Sequence, residues 1–336
     1  MAPCPGWFGA AVSDATAKSP ELPAFPFPAT LAKVVEEHVS KAVAARTHAL
    51  QSIREATGAD VYDATLKRFQ SMTLEADFEF DTGSYPLREA LLESCGFPKD
   101  TELTRLHLHP GAKDLLLRRL TVSTVDGANG AFHGAFDRFV RQVCAEALAR
   151  RAAEAWPGLD SIYYQAFPCL RIVQPGEFSI GPHADVAYGH HPCSMNFYVP
   201  LTPISKTSSL FLESRSGAAD WHPILGDYGQ VKHFAGALCA HWTTENNTEW
   251  TRVSLDVRLI CGPTFHALKF ADGSQDLKAK PGYYLQCFRG PGGWQRFEPL
   301  PRPDARFGFP WTVKDWDKRQ RKAMEKIHQR ETKELE

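Results

Sequence analysis

Residues 252–259 read Arg-Val-Ser-Leu-Asp-Val-Arg-Leu, a strict alternation of polar and apolar side chains. Successive side chains leave an extended strand on opposite faces, so period two marks a strand. One face here is wholly polar (Arg252, Ser254, Asp256, Arg258) and the other wholly apolar (Val253, Leu255, Val257, Leu259). Such a strand belongs to an antiparallel sheet whose two faces meet different surroundings. The polar face either meets water or lines a polar interior, and the neighbouring sequence has to decide between them.

The segments around it share this grammar. Residues 161–173, 194–201, 208–213, 235–242 and 250–260 are short, β-branched or aromatic, and bounded by Pro, Gly, Asn or Ser, which predicts strands. Upstream the period changes. Leu31, Val34, Val35, His38, Val39, Val43 and Leu50 recur at helical spacing from Thr30 to about Ala56, with Gly58 beyond the end. Shorter helices are expected at Leu87–Glu93 and Lys113–Arg118, and a long one over Phe132–Trp156, stopped by Pro157-Gly158. The expected organisation is therefore an irregular arm at 1–28, a mainly helical supporting region at 29–158 and a β core at 159–262. An aromatic, Gly/Pro-rich segment at 263–313 would cover that core, and a charged helix at 314–336 would follow.

Bulk properties exclude some functions. The 38 basic and 39 acidic residues of the 336-residue chain leave a net charge of −1, which counts against nucleic acid as a partner. No apolar stretch is long enough to span a membrane, and Met1–Ser19 lacks the pattern of a secretory signal. A cytoplasmic location is expected. The eight cysteines show no CxxC pair and read as reduced thiols.

Chemistry concentrates in Ile180-Gly181-Pro182-His183-Ala184-Asp185. On an extended segment His183 and Asp185 share a face and can reach one ion. A second imidazole, His241, lies near the end of the segment Ala235–Trp242, ahead of the turn-like Thr243–Glu249. A hairpin centred between Asn246 and Asn247 would set His241 opposite Arg252 and Cys239 opposite Ser254. Two imidazoles and one carboxylate leave positions open on a metal, as suits non-haem iron(II). The pairing favours the polar face of 252–259 as a lumen.

HxD, a distal His and an RxS some ten residues later resemble the signature of the 2-oxoglutarate/iron(II) oxygenase superfamily. The wider context resembles its streptomycin-biosynthesis-type branch: Tyr164-Gln165-Ala166-Phe167-Pro168-Cys169-Leu170-Arg171, then Asn196-Phe197-Tyr198-Val199-Pro200-Leu201-Thr202-Pro203, then Asn247 with Thr251-Arg252-Val253-Ser254-Leu255-Asp256 and Arg258. The resemblance covers about residues 161–262. It implies an α+β chain with a double-stranded β-helix (jelly-roll) core braced by an N-terminal helical layer. It further implies Fe(II) on His183, Asp185 and His241, with 2-oxoglutarate and O2 as cosubstrates. Arg252 and Ser254 would hold the distal carboxylate of 2-oxoglutarate, and succinate and CO2 would be released. Asp185 stands where halogenating relatives have a small residue, which points to hydroxylation, desaturation or ring closure.

Strand parity adds further candidates. Asn196 would face the cosubstrate, and Gln165, Arg171 and Arg258 a small polar metabolite, with Asp256 able to neutralise one guanidinium. His190-His191 read as a rim loop, His233 as a rival distal ligand without a matching Arg, His107 and His109 as structural, and Glu213 as a strand end. Rival functions are the same chemistry on a protein or nucleic acid, a non-catalytic jelly-roll binding protein, and a zinc hydrolase using the same ligands. Oligomeric state is not legible.

Overall fold

The computed structural model describes residues 29–117, 130–270 and 283–296. The expected arm at 1–28 and charged helix at 314–336 lie outside the described residues, as do Arg118 and parts of 263–313.

Helix α1 (Ala29–Thr57) forms where the helical spacing predicts it. It ends at Gly58, whose φ of +96° is a conformation that favours glycine. Helix α2 (Ala59–Gln70) follows, buries Tyr62 and Phe69, and has no counterpart in the sequence reading. Helix α3 (Leu87–Ser94) and the helical residues 112–117, α4, lie where short helices are expected. The long helix expected over Phe132–Trp156 is α5 (Gly130–Phe139) and α6 (Ala145–Arg151), joined by a π-helical turn at Val140–Cys144. It stops at Arg151, short of Trp156.

Among the described residues the strands are β1 (Ala76–Glu79), β2 (Ser161–Gln165), β3 (Cys169–Val173), β4 (Met195–Pro200), β5 (Leu210–Leu212), β6 (His222–Ile224), β7 (Gln230–Phe234), β8 (His241–Thr243), β9 (Arg252–Cys261), β10 (Tyr284–Gly290) and β11 (Gly293–Gln295). They form an eight-stranded antiparallel sheet, in the order β1-β7-β4-β9-β2-β10-β11 with β3 also on β9, and a three-stranded sheet β6-β5-β8. The larger sheet is curled into a half-barrel, giving an α+β chain with a jelly-roll core.

Strand β9 is the spine. One edge pairs with β4, while the other pairs with β3 along its first half and with β2 at its far end. The expected continuous strand 161–173 is therefore two strands. The chain breaks at Ala166–Pro168, where proline cannot donate to a ladder. All ten residues of β9 are buried, so its polar face does not meet water. On the apolar face Val253, Leu255, Val257 and Leu259 oppose Ile172, Leu170, Phe197 and Met195. Helix α6 packs against β9. Each such side chain, fully buried, contributes roughly 1.5–3 kcal/mol. Polar contacts also tie the layer: Tyr164 of β2 donates to Asp137 of α5 at 2.5 Å, and Arg141 holds the other oxygen of Asp137 at 2.9 Å.

Removing that donor takes a hydrogen bond from Asp137 Oδ1, which keeps Arg296 Nε beside it at 3.3 Å. Tyr164→Phe is expected to cost roughly 1.5–3 kcal/mol in urea denaturation, the range for a hydrogen bond to a charged group. A loss below about 0.5 kcal/mol, the scale of an ordinary surface substitution, would show that the contact does not tie the layers. A second expectation follows from buried histidines. Burial pulls His133 down from 6.5 to about 4, and His191 and His233 down to about 3. The folded chain keeps these rings neutral, whereas the unfolded chain protonates them below pH 6.5. The unfolded state then binds more protons, so stability falls as the pH drops from 6.5 toward 4, by at most about 1.4 kcal/mol per pH unit for each ring. His233→Phe keeps a ring stacked on Phe197 (5.0 Å, 6°) and should make the fall shallower. Melting curves from pH 8 to 4 check this, and an unchanged slope would contradict it.

Candidate metal centre

The strand expected over 235–242 does not form as such. Residues 236–240 turn instead, with the N–H groups of Leu238 and Cys239 donating to Ala235 O at 2.9 and 2.8 Å, and β8 begins only at His241. This turn lets His241 meet His183 directly. The two residues exchange both backbone hydrogen bonds, His183 N to His241 O at 3.1 Å and His241 N to His183 O at 2.8 Å. An antiparallel pair puts its side chains on one face, and the imidazole centroids are 4.2 Å apart. Asp185 N donates to Gly236 O at 2.9 Å, which anchors the third residue beside them.

The candidate ligand atoms of His183, Asp185 and His241 all lie within 4.8 Å of one another, and all three residues are buried. Asp185 Oδ1 is 3.4 Å from His183 Nε2 and 3.7 Å from His241 Nε2. Each ring presents Nδ1 to a backbone carbonyl, His183 to Gly181 O at 2.9 Å and His241 to Cys239 O at 3.0 Å. Those carbonyls accept, so the Nδ1 proton is held there and the Nε2 lone pair is aimed inward, as metal-binding imidazoles require. Burial and the neighbouring His183 pull His241 down to about 3, against the opposing pull of Asp185, so the ring is neutral at physiological pH.

Asp185 is held from behind. Its Oδ2 accepts Arg258 Nε at 2.8 Å and Asn196 Nδ2 at 2.9 Å, leaving Oδ1 turned to the histidines. Burial alone would raise its pKa, but Arg258, His183 and His241 outweigh burial and hold it well below the usual carboxylate range. Arg258 also bridges to Asp256 Oδ2 at 3.0 Å and donates to Gln165 Oε1 at 3.3 Å. Gln165 donates onward to Tyr283 at 3.1 Å. Asn196 sits so close to the turn that a Cβ on Gly236 would lie 2.7 Å from its Oδ1, which only glycine avoids.

A pocket opens beside the triad, lined by His183, His241, Arg171, Tyr198, Arg252, Asp256 and Arg258 among others. Arg171 and Tyr198 stand opposite Ser254 and Asp256 across β3 and β4. Arg252 Nε, Ser254 Oγ and Tyr198 Oη are buried and have no hydrogen-bond partner among the described residues. The expected hairpin register is wrong. His241 pairs with Leu212 of β5 and Arg252 with Val173 of β3, so they belong to different sheets and both reach the pocket. Asn246 decides this. Its amide donates to Val173 O and Trp250 O while its carbonyl accepts from Thr248, which makes 244–251 a crossing between sheets instead of a tight turn.

Other readings also resolve. His233 stacks on Phe197, on the apolar side of the sheet. His190 and His191 are both buried, at 6% and 0% exposure, and do not form a solvated rim. His107 bonds Thr251 at 3.0 Å. Tyr198 went unassigned in the sequence, although it shares a strand face with Asn196.

The donor set suits a divalent ion with open positions: two imidazoles and one carboxylate oxygen. Zinc accepts the same ligands, so the three unpartnered donors nearby carry more information than the triad alone. No protein-family model matches the chain. It is 33% identical over 103 residues to the streptomycin biosynthesis protein StrG of Streptomyces griseus, a match covering 30% of this chain and 48% of that protein. The chain thus spans about half the length of that relative. Similar solved structures include a non-haem monooxygenase, ThoJ, with nickel (18% identity, 79% of this chain and 99% of that one, TM-score 0.42). Another is the α-ketoglutarate-dependent epimerase SnoN from nogalamycin biosynthesis (15% identity, 72% and 95%, TM-score 0.36). In sequence, the chain is thus similar over 103 residues to a streptomycin biosynthesis protein.

Proposed function

We propose that the chain is an iron(II)- and 2-oxoglutarate-dependent oxygenase acting on a small polar metabolite by hydroxylation, desaturation or ring closure. One observation carries the reading. Three buried polar atoms have no hydrogen-bond partner among the described residues: Arg252 Nε and Tyr198 Oη, on residues that line the pocket with His183 and His241, and Ser254 Oγ, two residues from Arg252 on the same face of β9. Buried donors are left unpaired only at a cost, and that cost is recovered when a ligand meets them. A carboxylate fits a guanidinium flanked by two hydroxyls. Burial pulls Arg252 below its ordinary value, with Arg171 adding to the fall and Tyr198 opposing it. A guanidinium stays charged even so.

Bound iron and 2-oxoglutarate would together supply an oxidant for a C–H bond. His183, His241 and Asp185 Oδ1 would hold the metal, while Arg258 and Asn196 keep Asp185 Oδ2 turned away. Arg252, Ser254 and Tyr198 would orient the distal carboxylate of the cosubstrate. Arg258 holds Asp185, Asp256 and Gln165 and so supports the centre, and Arg171, which lines the same pocket, would be the contact for a carboxylate or similar acceptor of the substrate.

Anaerobic loading with Fe(II) and 2-oxoglutarate, followed by air, should release succinate in the wild type and none in His241→Ala. Succinate at the wild-type rate from the folded variant would remove His241 from the centre. Arg252→Lys should bind Fe(II) as before yet raise the apparent constant for 2-oxoglutarate strongly, since losing one partner of a buried charged pair costs roughly 2–5 kcal/mol. An unchanged constant would move the carboxylate contact to Arg171.

A further inference from the structure

Helix α1 reaches the ligand-bearing segments from behind. It packs on the Asp185–Tyr188 turn, and Arg46 in its second half is only 7% exposed. The Arg46 guanidinium donates through Nη1 to Glu213 Oε1 at 2.7 Å and to Leu238 O at 2.9 Å. Glu213, 1% exposed, lies just beyond β5 and is more than the strand end its sequence suggests. Its Oε1 also accepts Ala240 N at 2.7 Å, and its Oε2 accepts Gly217 N at 2.8 Å and Ala219 N at 3.3 Å. The backbone N–H of Glu213 donates to Ala240 O at 3.1 Å. Leu238 and Ala240 are therefore held on both sides of Cys239, whose carbonyl takes the Nδ1 proton of His241 at 3.0 Å.

A buried ion pair is a poor way to stabilise a core, because desolvation offsets most of the attraction. What this pair does supply is direction, since every hydrogen bond it makes ends on the turn before His241 or on the loop that folds over Glu213. Groups that orient a metal-binding imidazole through its second nitrogen tune affinity even without touching the ion.

We infer that Arg46 and Glu213 are positioning residues for the metal centre: they set the Cys239 carbonyl and, through it, the aim of His241 Nε2. The inference rests on reading His183, Asp185 and His241 as a metal site. The N-terminal helix is then part of the centre's supporting frame as well as a covering layer.

Titration of the metal-free protein with Co(II), followed by calorimetry and by the visible Co(II) spectrum, tests this without any turnover. Glu213→Gln and Arg46→Met should bind Co(II) roughly 10–100-fold more weakly, with an altered spectrum, while their circular dichroism stays native. Arg46→Lys keeps the cation and should recover part of the affinity. Melting temperatures of the metal-free variants are measured alongside, because a purely structural pair would lower them and leave affinity and spectrum unchanged. That result would overturn the inference. If Arg46→Met does not fold, Glu213→Gln and Arg46→Lys decide the matter by the same two readouts. A wild-type protein that takes up no Co(II) would overturn the metal reading itself, and the inference with it.

Discussion

The contact between Arg258 and Asp185 is the one on which the centre depends. A carboxylate with no solvent around it and two imidazoles in front would take up a proton unless a cation met it from behind. Arg258 does so at 2.8 Å, and Asn196 completes the grip on the same oxygen. Geometry and charge are settled together: Asp185 stays ionised, and its other oxygen faces the histidines. Asp256 supplies the second anion that a buried guanidinium needs, and burial with the nearby Asp185 pushes its own pKa up, against the pull of Arg258. Arg171 also acts on Asp256, so two guanidiniums offset two carboxylates, which is what allows the group to sit inside a sheet.

That arrangement explains why β9 is buried on both faces while its sequence alternates. Its apolar side chains meet the helical layer, as any half-buried strand's would. Its polar side chains meet one another and the pocket. Towards the β4 side, Arg258 and Asn196 serve Asp185; towards the start of the strand, Arg252 and Ser254 are left with unmet hydrogen-bonding capacity. The strand thus carries at one end the groups that hold the carboxylate and at the other the groups suited to a ligand.

The helical layer has a matching division. Tyr164 and Asp137 join it to the back of the sheet, whereas Arg46 crosses to the smaller sheet and the turn ahead of His241. Support for the centre thus comes from residues far apart in the chain, on elements with no resemblance of their own to suggest a role.

Much of this was legible in the chain itself. Short-range periodicity predicts α1, α3, β4 and β9, because side-chain alternation is a local property. His183, Asp185 and His241 stood out from their spacing and from Arg252 and Ser254 downstream. Parity along β9 also indicated that Asp256 neutralises a guanidinium. The register that brought His241 to Arg252 was wrong, since Asn246 spends its amide on Val173 and Trp250 and turns an apparent hairpin into a crossing between sheets. The sequence alone determined which residues are chemically able to form the centre and which strand face they occupy, for both follow from residue type and local period. Only the tertiary structure decided which of them meet: that Arg258 serves Asp185, that Tyr198 and Arg252 line one pocket, and that Arg46 reaches the turn before His241. Those contacts join residues distant in sequence, and their partners are selected by strand pairing and burial, which no local pattern encodes.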